Sequence, residues 1–257
     1  MRSRLDRPRT HRLVRIGLLA LPLLLMGTMI GLRVQSLLFE RKVYSVLSRL
    51  GQLQLDKTPE EAVLRSMPEL KSGILWSFLV NGQRDDRCPG DACYVLRVQN
   101  VPNGMLSRLR EKLGYQHDWI FKAAYLVGHR FWTFDAYVEI REKKVSRYEY
   151  ALSVEDAESP ANGLVGVQVL GADRASFPAG YGFIEGYDKI TGFKITRPSN
   201  RQTTVMRVAF TPEAEPEDVR NAFDVHLDCV WNFEGCSATS QLLPAVWERG
   251  TNGAKQK

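Results

Sequence analysis

Four cysteines carry the most definite chemistry in this chain. They fall as Cys88-Pro-Gly-Asp-Ala-Cys93 and Cys229-Val-Trp-Asn-Phe-Glu-Gly-Cys236, two pairs that each enclose residues favouring a turn. In an oxidising compartment this spacing predicts two local disulfides, Cys88–Cys93 and Cys229–Cys236. Loops this short contribute about 2–2.5 kcal/mol each through chain entropy. The rival is a four-thiolate zinc site, but structural zinc favours regular C-x2-C or C-x4-C knuckles, and here one C-x4-C stands beside a C-x6-C. Pairing leaves no cysteine over as a nucleophile.

The other reactive side chains are scattered. His226 follows Phe223 by three residues on an apolar helical stripe, the expected place of a core-edge histidine. His117 and His129 are twelve apart with no partner at metal-ligand spacing, and His11 lies among the N-terminal arginines. There is no H-E-x-x-H, no G-x-S-x-G and no P-loop. Gly180, Gly182 and Gly186 give G-x-G-x3-G rather than a dinucleotide fingerprint, and no apolar strand leads into them. Tyr181, Phe183, Tyr187 and Phe193 cluster among these glycines, where a flexible backbone can present rings to a sugar or peptide ligand. The competing expectation is that the rings cover a sheet edge or fill a core beneath a loop. The acidic groups Asp85-Asp86, Glu155-Asp156-Glu158 and Glu213–Asp218 read as solvated loops or helix starts. No catalytic residue, metal ligand or cofactor emerges.

Charge and hydropathy describe the setting better than the activity. The chain has 257 residues, 35 Lys+Arg against 29 Asp+Glu, and 44% apolar residues, which excludes a disordered tail, a collagen-like fibre and a multi-span membrane protein. Residues 1–15 contain six arginines and one acid, so they hold +5 of the formal +6. The pI near 9.2 therefore comes from one short segment and does not imply nucleic acid.

Directly after the arginines, Ile16–Leu32 runs seventeen residues without a charge. At about 1.5 Å per residue it reaches roughly 25 Å, just short of a hydrocarbon core, and Arg15 and Arg33 can extend it by turning toward the headgroups. Pro22 is tolerated better in a membrane helix than in a soluble one. Small residues suited to signal cleavage are missing after the run; Val34-Gln35-Ser36 is the nearest match and a poor one. The segment reads as an uncleaved signal anchor with its basic end in the cytoplasm and the rest of the chain outside. None of the eight asparagines is followed by x-Ser or x-Thr, which mildly favours a bacterial envelope over a glycosylating secretory pathway.

The expected organisation is a basic cytoplasmic stub (1–15), a transmembrane anchor (16–34), a juxtamembrane helix (35–55), an extracytoplasmic α+β domain (56–247) and a polar tail (248–257). In the juxtamembrane segment the helical rhythm runs over Val34–Leu50 with Gly51 as the stop, and Val43, Val46, Leu47 and Leu50 form a stripe, which packs on the chain's own domain or pairs with a second copy. Thr58-Pro59-Glu60-Glu61 opens a short helix with Thr58 as cap, ending at Pro68. Strands are expected over Ile74–Val80, Ala92–Val98, Leu164–Leu170, Ile190–Thr196 and Thr203–Phe210. A hairpin sets Phe134, Ala136, Val138 and Ile140 against Tyr148, Tyr150, Leu152 and Val154 across a three-residue loop, Glu142–Lys144. Helices are expected over Asn103–Leu113, over Pro216–Trp231 as one piece, and around Ala245–Arg249, while Trp119–Val127 carries a helical stripe in an ambiguous context. Strands in series bracketed by helices give an α+β fold with a mainly antiparallel sheet. The resulting expectation is a membrane-anchored, non-enzymatic binding or structural module. An anchored hydrolase whose site forms only in three dimensions, and an envelope assembly component using the juxtamembrane helix, are the alternatives.

Overall fold

Alternating apolar residues in the central hairpin set the architecture. A computed structural model describes residues 7–73, 88, 90–99, 132–155, 164–173, 193–196, 203–231 and 235–254, with α1 side chains described at most positions from Ala20 onward. The helices are α1 (Arg7–Leu50), α2 (Glu60–Ser66), α3 (Pro216–Phe223), α4 (Asp228–Trp231) and α5 (Pro244–Ala254), with a 3-10 turn at Thr239–Gln241. The strands are β1 (Lys71–Ser72), β2 (Ala92–Gln99), β3 (Trp132–Arg141), β4 (Lys144–Glu155), β5 (Leu164–Ala172), β6 (Phe193–Thr196) and β7 (Thr203–Phe210). They form one sheet in the order β1-β2-β3-β4-β5-β7-β6, antiparallel at every pairing except β5 with β7. The fold is mixed α+β, and the sheet is mainly antiparallel.

The hairpin faces agree with the sequence pattern, but its turn does not. Phe134 pairs with Leu152, Ala136 with Tyr150 and Val138 with Tyr148, all buried on the helix-covered face. The loop has two residues, Glu142 and Lys143, both at positive φ (51° and 61°), and a bulge between Glu139 and Ile140 restores the register that a three-residue loop would have given. Left-handed backbone is costly for these residue types. Here it is held from outside: Asp91 Oδ2 accepts the Glu142 N–H at 2.7 Å, and the Lys143 carbonyl accepts the Glu60 N–H at 3.0 Å.

One continuous helix runs from Arg7 through the uncharged run to Leu50. α1 includes Pro22 and ends at Leu50, where the Gly51 N–H bonds the Leu47 carbonyl at 2.9 Å. Val43, Val46, Leu47 and Leu50 are buried in the main core with Phe39, whose ring stacks on Trp132, so the stripe packs on the chain's own domain. The helix ends at Leu50, where Gly51 is expected to stop it, and the rest of the 35–55 segment turns back toward β4 through Gly51–Asp56. Among the described residues no helix is long and apolar enough to cross a membrane.

Other elements depart from expectation for local reasons. Thr58 does not cap α2: Pro59 occupies the N-cap, while the Thr58 hydroxyl accepts the Gln54 N–H at 2.8 Å. The expected helix Pro216–Trp231 breaks into α3 and α4, since the His226 N–H bonds the Leu242 carbonyl at 2.9 Å and Tyr150 donates its hydroxyl to the Ala222 carbonyl at 2.5 Å. The segment read as a polar tail from 248 is helical through Ala254, and Arg249 pairs there with Asp218. Cys229 in α4 is bonded to Cys236, just past Gly235 at φ 72°, with Cα atoms 4.8 Å apart. The strand expected over Ile74–Val80, the helix over Asn103–Leu113 and the stripe over Trp119–Val127 lie outside the described residues.

If the α1 stripe is core, Leu47→Ala lowers the unfolding free energy of the full chain by about 2–5 kcal/mol. Tryptophan-monitored denaturation measures this, and a loss under 1 kcal/mol would contradict the packing.

Candidate functional site

Among the described residues polar chemistry concentrates in two places, one on each face of the sheet. The first is a cavity of about 1010 Å³ where α1 ends. Gly51 turns the chain so closely over α3 that a Cβ there would lie 3.2 Å from Phe223 Cγ. Leu53, Tyr148, Phe210 and Phe223 line the wall, with Lys57, Arg220 and Asp224 among its charged groups. Tyr148 donates its hydroxyl to the Leu53 carbonyl at 3.4 Å, and burial holds the phenol well above its ordinary pKa. Among the described residues the lining is an apolar floor with two cations and one anion, a form suited to an amphipathic ligand.

The second place is the other face of the sheet, where alternation puts charged residues at strand centres. Cys93, Glu139, Arg147 and Ala172 lie in one cross-strand row, and Val95, Tyr137, Glu149 and Leu170 in the next. Both glutamates are 1% exposed. Arg147 donates to Glu149 Oε2 at 2.6 Å, Gln168 donates to Glu149 Oε1 at 2.5 Å, and the Arg147 guanidinium lies 5.4 Å from the centre of the Tyr137 ring. Arg141 reaches Glu139 Oε1 at 3.3 Å, while Glu139 Oε2 is buried with no hydrogen-bond partner among the described residues. Burial pushes the Glu139 carboxyl above its ordinary range, against the pull of Arg147 and Arg141. Beside this face Asp56 shares a side-chain hydrogen bond with Asp173; burial first, then the Asp173 charge, holds the Asp56 carboxyl up.

The two cysteine pairs expected from spacing are bonded: Cys88 to Cys93 with Cα atoms 5.8 Å apart, and Cys229 to Cys236. Of the four candidate ligand-binding aromatics, Tyr181, Phe183 and Tyr187 lie outside the described residues. Phe193 opens β6 opposite Phe210, a residue of the cavity wall. His226 is not at the core edge; it is exposed, with Nε2 3.7 Å from Asp224 Oδ2, too far for a hydrogen bond. Asp218, read as solvated surface, is buried against Arg249. Glu139, Arg147 and Glu149 went unread because alternation assigns them to an off-core face, and nothing in a single strand tells a covered face from a wet one.

The chain is thus an α+β protein with a sheet covered by helices on one face and bearing buried charge on the other. No family model, curated protein or solved structure matches it.

The raised Glu139 carboxyl carries a pH signature. A folded-state pKa above the unfolded one contributes stability at low pH that is lost as pH rises through the folded value. The stability of the wild type relative to Glu139→Gln therefore declines as pH is raised through and above the usual glutamate range. A constant difference from pH 4 to pH 8 in denaturation curves would contradict the assignment.

Proposed function

We propose that this chain is a single-pass membrane protein, anchored by α1 with its basic end in the cytoplasm, whose α+β domain works outside the cytoplasm as a non-enzymatic binding module. The supporting observation is the continuity of α1: the uncharged run Ile16–Leu32 passes without a break into the stripe that the domain buries. Leu23, Leu24, Met26, Ile30, Val34, Leu37 and Leu38 are all exposed. Each loses about 1.5–3 kcal/mol relative to burial, which a hydrocarbon environment would restore. Among the described residues α1 is not long and apolar enough to count as a span; what supports an anchor is the uncharged run from Ile16 in the sequence. The six N-terminal arginines set the orientation, and two disulfides suit the oxidising side. The cavity is the binding place this reading assigns.

A second reading, an envelope assembly component pairing through the outer part of α1, has Leu37 and Leu38 in its favour, since they face away while Phe39 and Val43 are buried. An anchored hydrolase gains less: His226 stands too far from Asp224 to be oriented by it.

Carbonate-washed membranes should retain a chain that begins at Met1 or Arg2. A phosphatase active only outside the cytoplasm should work when fused after residue 250, and activity of a cytoplasmic reporter there would overturn the topology. For binding, octanoate should raise the melting temperature of the detergent-solubilised chain by a few degrees, and Arg220→Ala should abolish the shift. No shift at millimolar octanoate would count against an amphipathic ligand.

A further inference from the structure

We propose that Cys88–Cys93 is an exchange site for a dithiol donor, with Tyr137 assisting departure of the inner sulfur; this stands apart from the anchored reading. The two disulfides occupy contrasting places. Cys229 and Cys236 are both buried within the main core. Cys88 is half-buried, while Cys93 is buried in a separate small cluster with Tyr137 and Val95 on the other face of the sheet. An attacking thiolate therefore has an outer sulfur to reach and an inner one to displace.

The inner sulfur is provided for. Cys93 Sγ lies 2.9 Å from the Tyr137 hydroxyl, and because a disulfide sulfur has no hydrogen, Tyr137 is the donor. A hydrogen bond to a thiolate is stronger than one to a neutral disulfide, and a stabilised thiolate leaves faster. The Arg147 guanidinium over the Tyr137 ring polarises the phenol toward donation. Glu139, opposite Cys93, would oppose a new negative charge, but Arg141 and Arg147 offset it.

The step balances as ordinary thiol–disulfide exchange. A donor thiolate attacks Cys88 Sγ, the Cys88–Cys93 bond breaks, and Cys93 leaves as a thiolate hydrogen-bonded by Tyr137. The donor's second thiol, deprotonated, attacks its own sulfur in the mixed disulfide and releases Cys88 as a thiolate. The donor is oxidised by two electrons to a disulfide, and the chain's disulfide is reduced to two thiols, with two protons taken up. The main core is not involved. The hairpin turn is, because the bridged loop supplies Asp91 to the Glu142 N–H and seats Gly90 so tightly that a Cβ there would fall 2.4 Å from the Ile140 carbonyl oxygen.

The test uses the full-length chain with graded dithiothreitol, trapping by N-ethylmaleimide and peptide mapping. Cys88 and Cys93 should become labelled about tenfold or more faster than Cys229 and Cys236, and amide exchange at Glu142 should rise in step. Tyr137→Phe should slow opening of the first pair about threefold or more and leave the second pair's rate unchanged. Equal rates, or earlier opening of Cys229–Cys236, would overturn the site; an unchanged rate in Tyr137→Phe would overturn the role of the hydroxyl. The comparison of the two pairs within the wild type decides the site even if the variant folds poorly.

Discussion

Phe39, Val43, Val46, Leu47 and Leu50 leave water together on the sheet face that carries Tyr148, Tyr150, Met206 and Val208. At about 1.5–3 kcal/mol for each large apolar side chain, their burial amounts to roughly 7–15 kcal/mol before entropy is charged against it. That is as large as the whole net stability of an ordinary domain. The other contacts of the region follow from this docking. Arg49 donates to the Ser66 carbonyl and to Glu69, tying α2 to the end of α1, and Tyr44 accepts the Leu227 N–H, which steadies the stretch between α3 and α4. The turn after Gly51 exists to bring Leu53 and Leu55 back into the core, and the cavity is the space that turn leaves beside α3.

The opposite face imposes a different constraint. Buried carboxylates and guanidinium groups are costly unless each finds a partner, so the strands must keep a register that sets Glu139 beside Arg147 and Glu149 beside Gln168. A one-residue slip would turn these charges into the helix-covered core. The bulge between Glu139 and Ile140 matters here as much as in the core, because it places Arg147 rather than Ser146 opposite Glu139. Apolar burial on one side and charge pairing on the other select the same alignment.

How much of this was legible depended on whether the signal was local. Strand β7 could be read to the residue because Thr204, Met206, Val208 and Phe210 alternate without interruption. The cysteine pairs were legible because their loops are short and carry turn residues. The break between α3 and α4 was hidden: Val219, Ala222, Phe223, Leu227 and Val230 keep helical spacing, and only Leu242, Tyr150 and Tyr44 draw the backbone out of the helix. The buried charges were hidden for a related reason. A strand of alternating apolar and charged residues looks the same whether its second face meets water or is covered.

Because α1 has no linker between its apolar run and the buried stripe, an anchored chain would hold its domain at a fixed attitude rather than on a tether. Phe39 meets Trp132 at the start of β3, only seven residues past Leu32, or about 10 Å of helix. Gly51 meets Phe223 at the other end, about 27 Å beyond Arg33. The Glu142–Lys143 turn is at the far end of the same strand from Trp132, and the Cys88–Cys93 loop is fastened to that turn. The cavity, the turn and the half-buried disulfide therefore sit toward the end of α1 remote from the apolar run. A ligand or thiol donor would then approach from the aqueous side, along the helix axis, without meeting lipid.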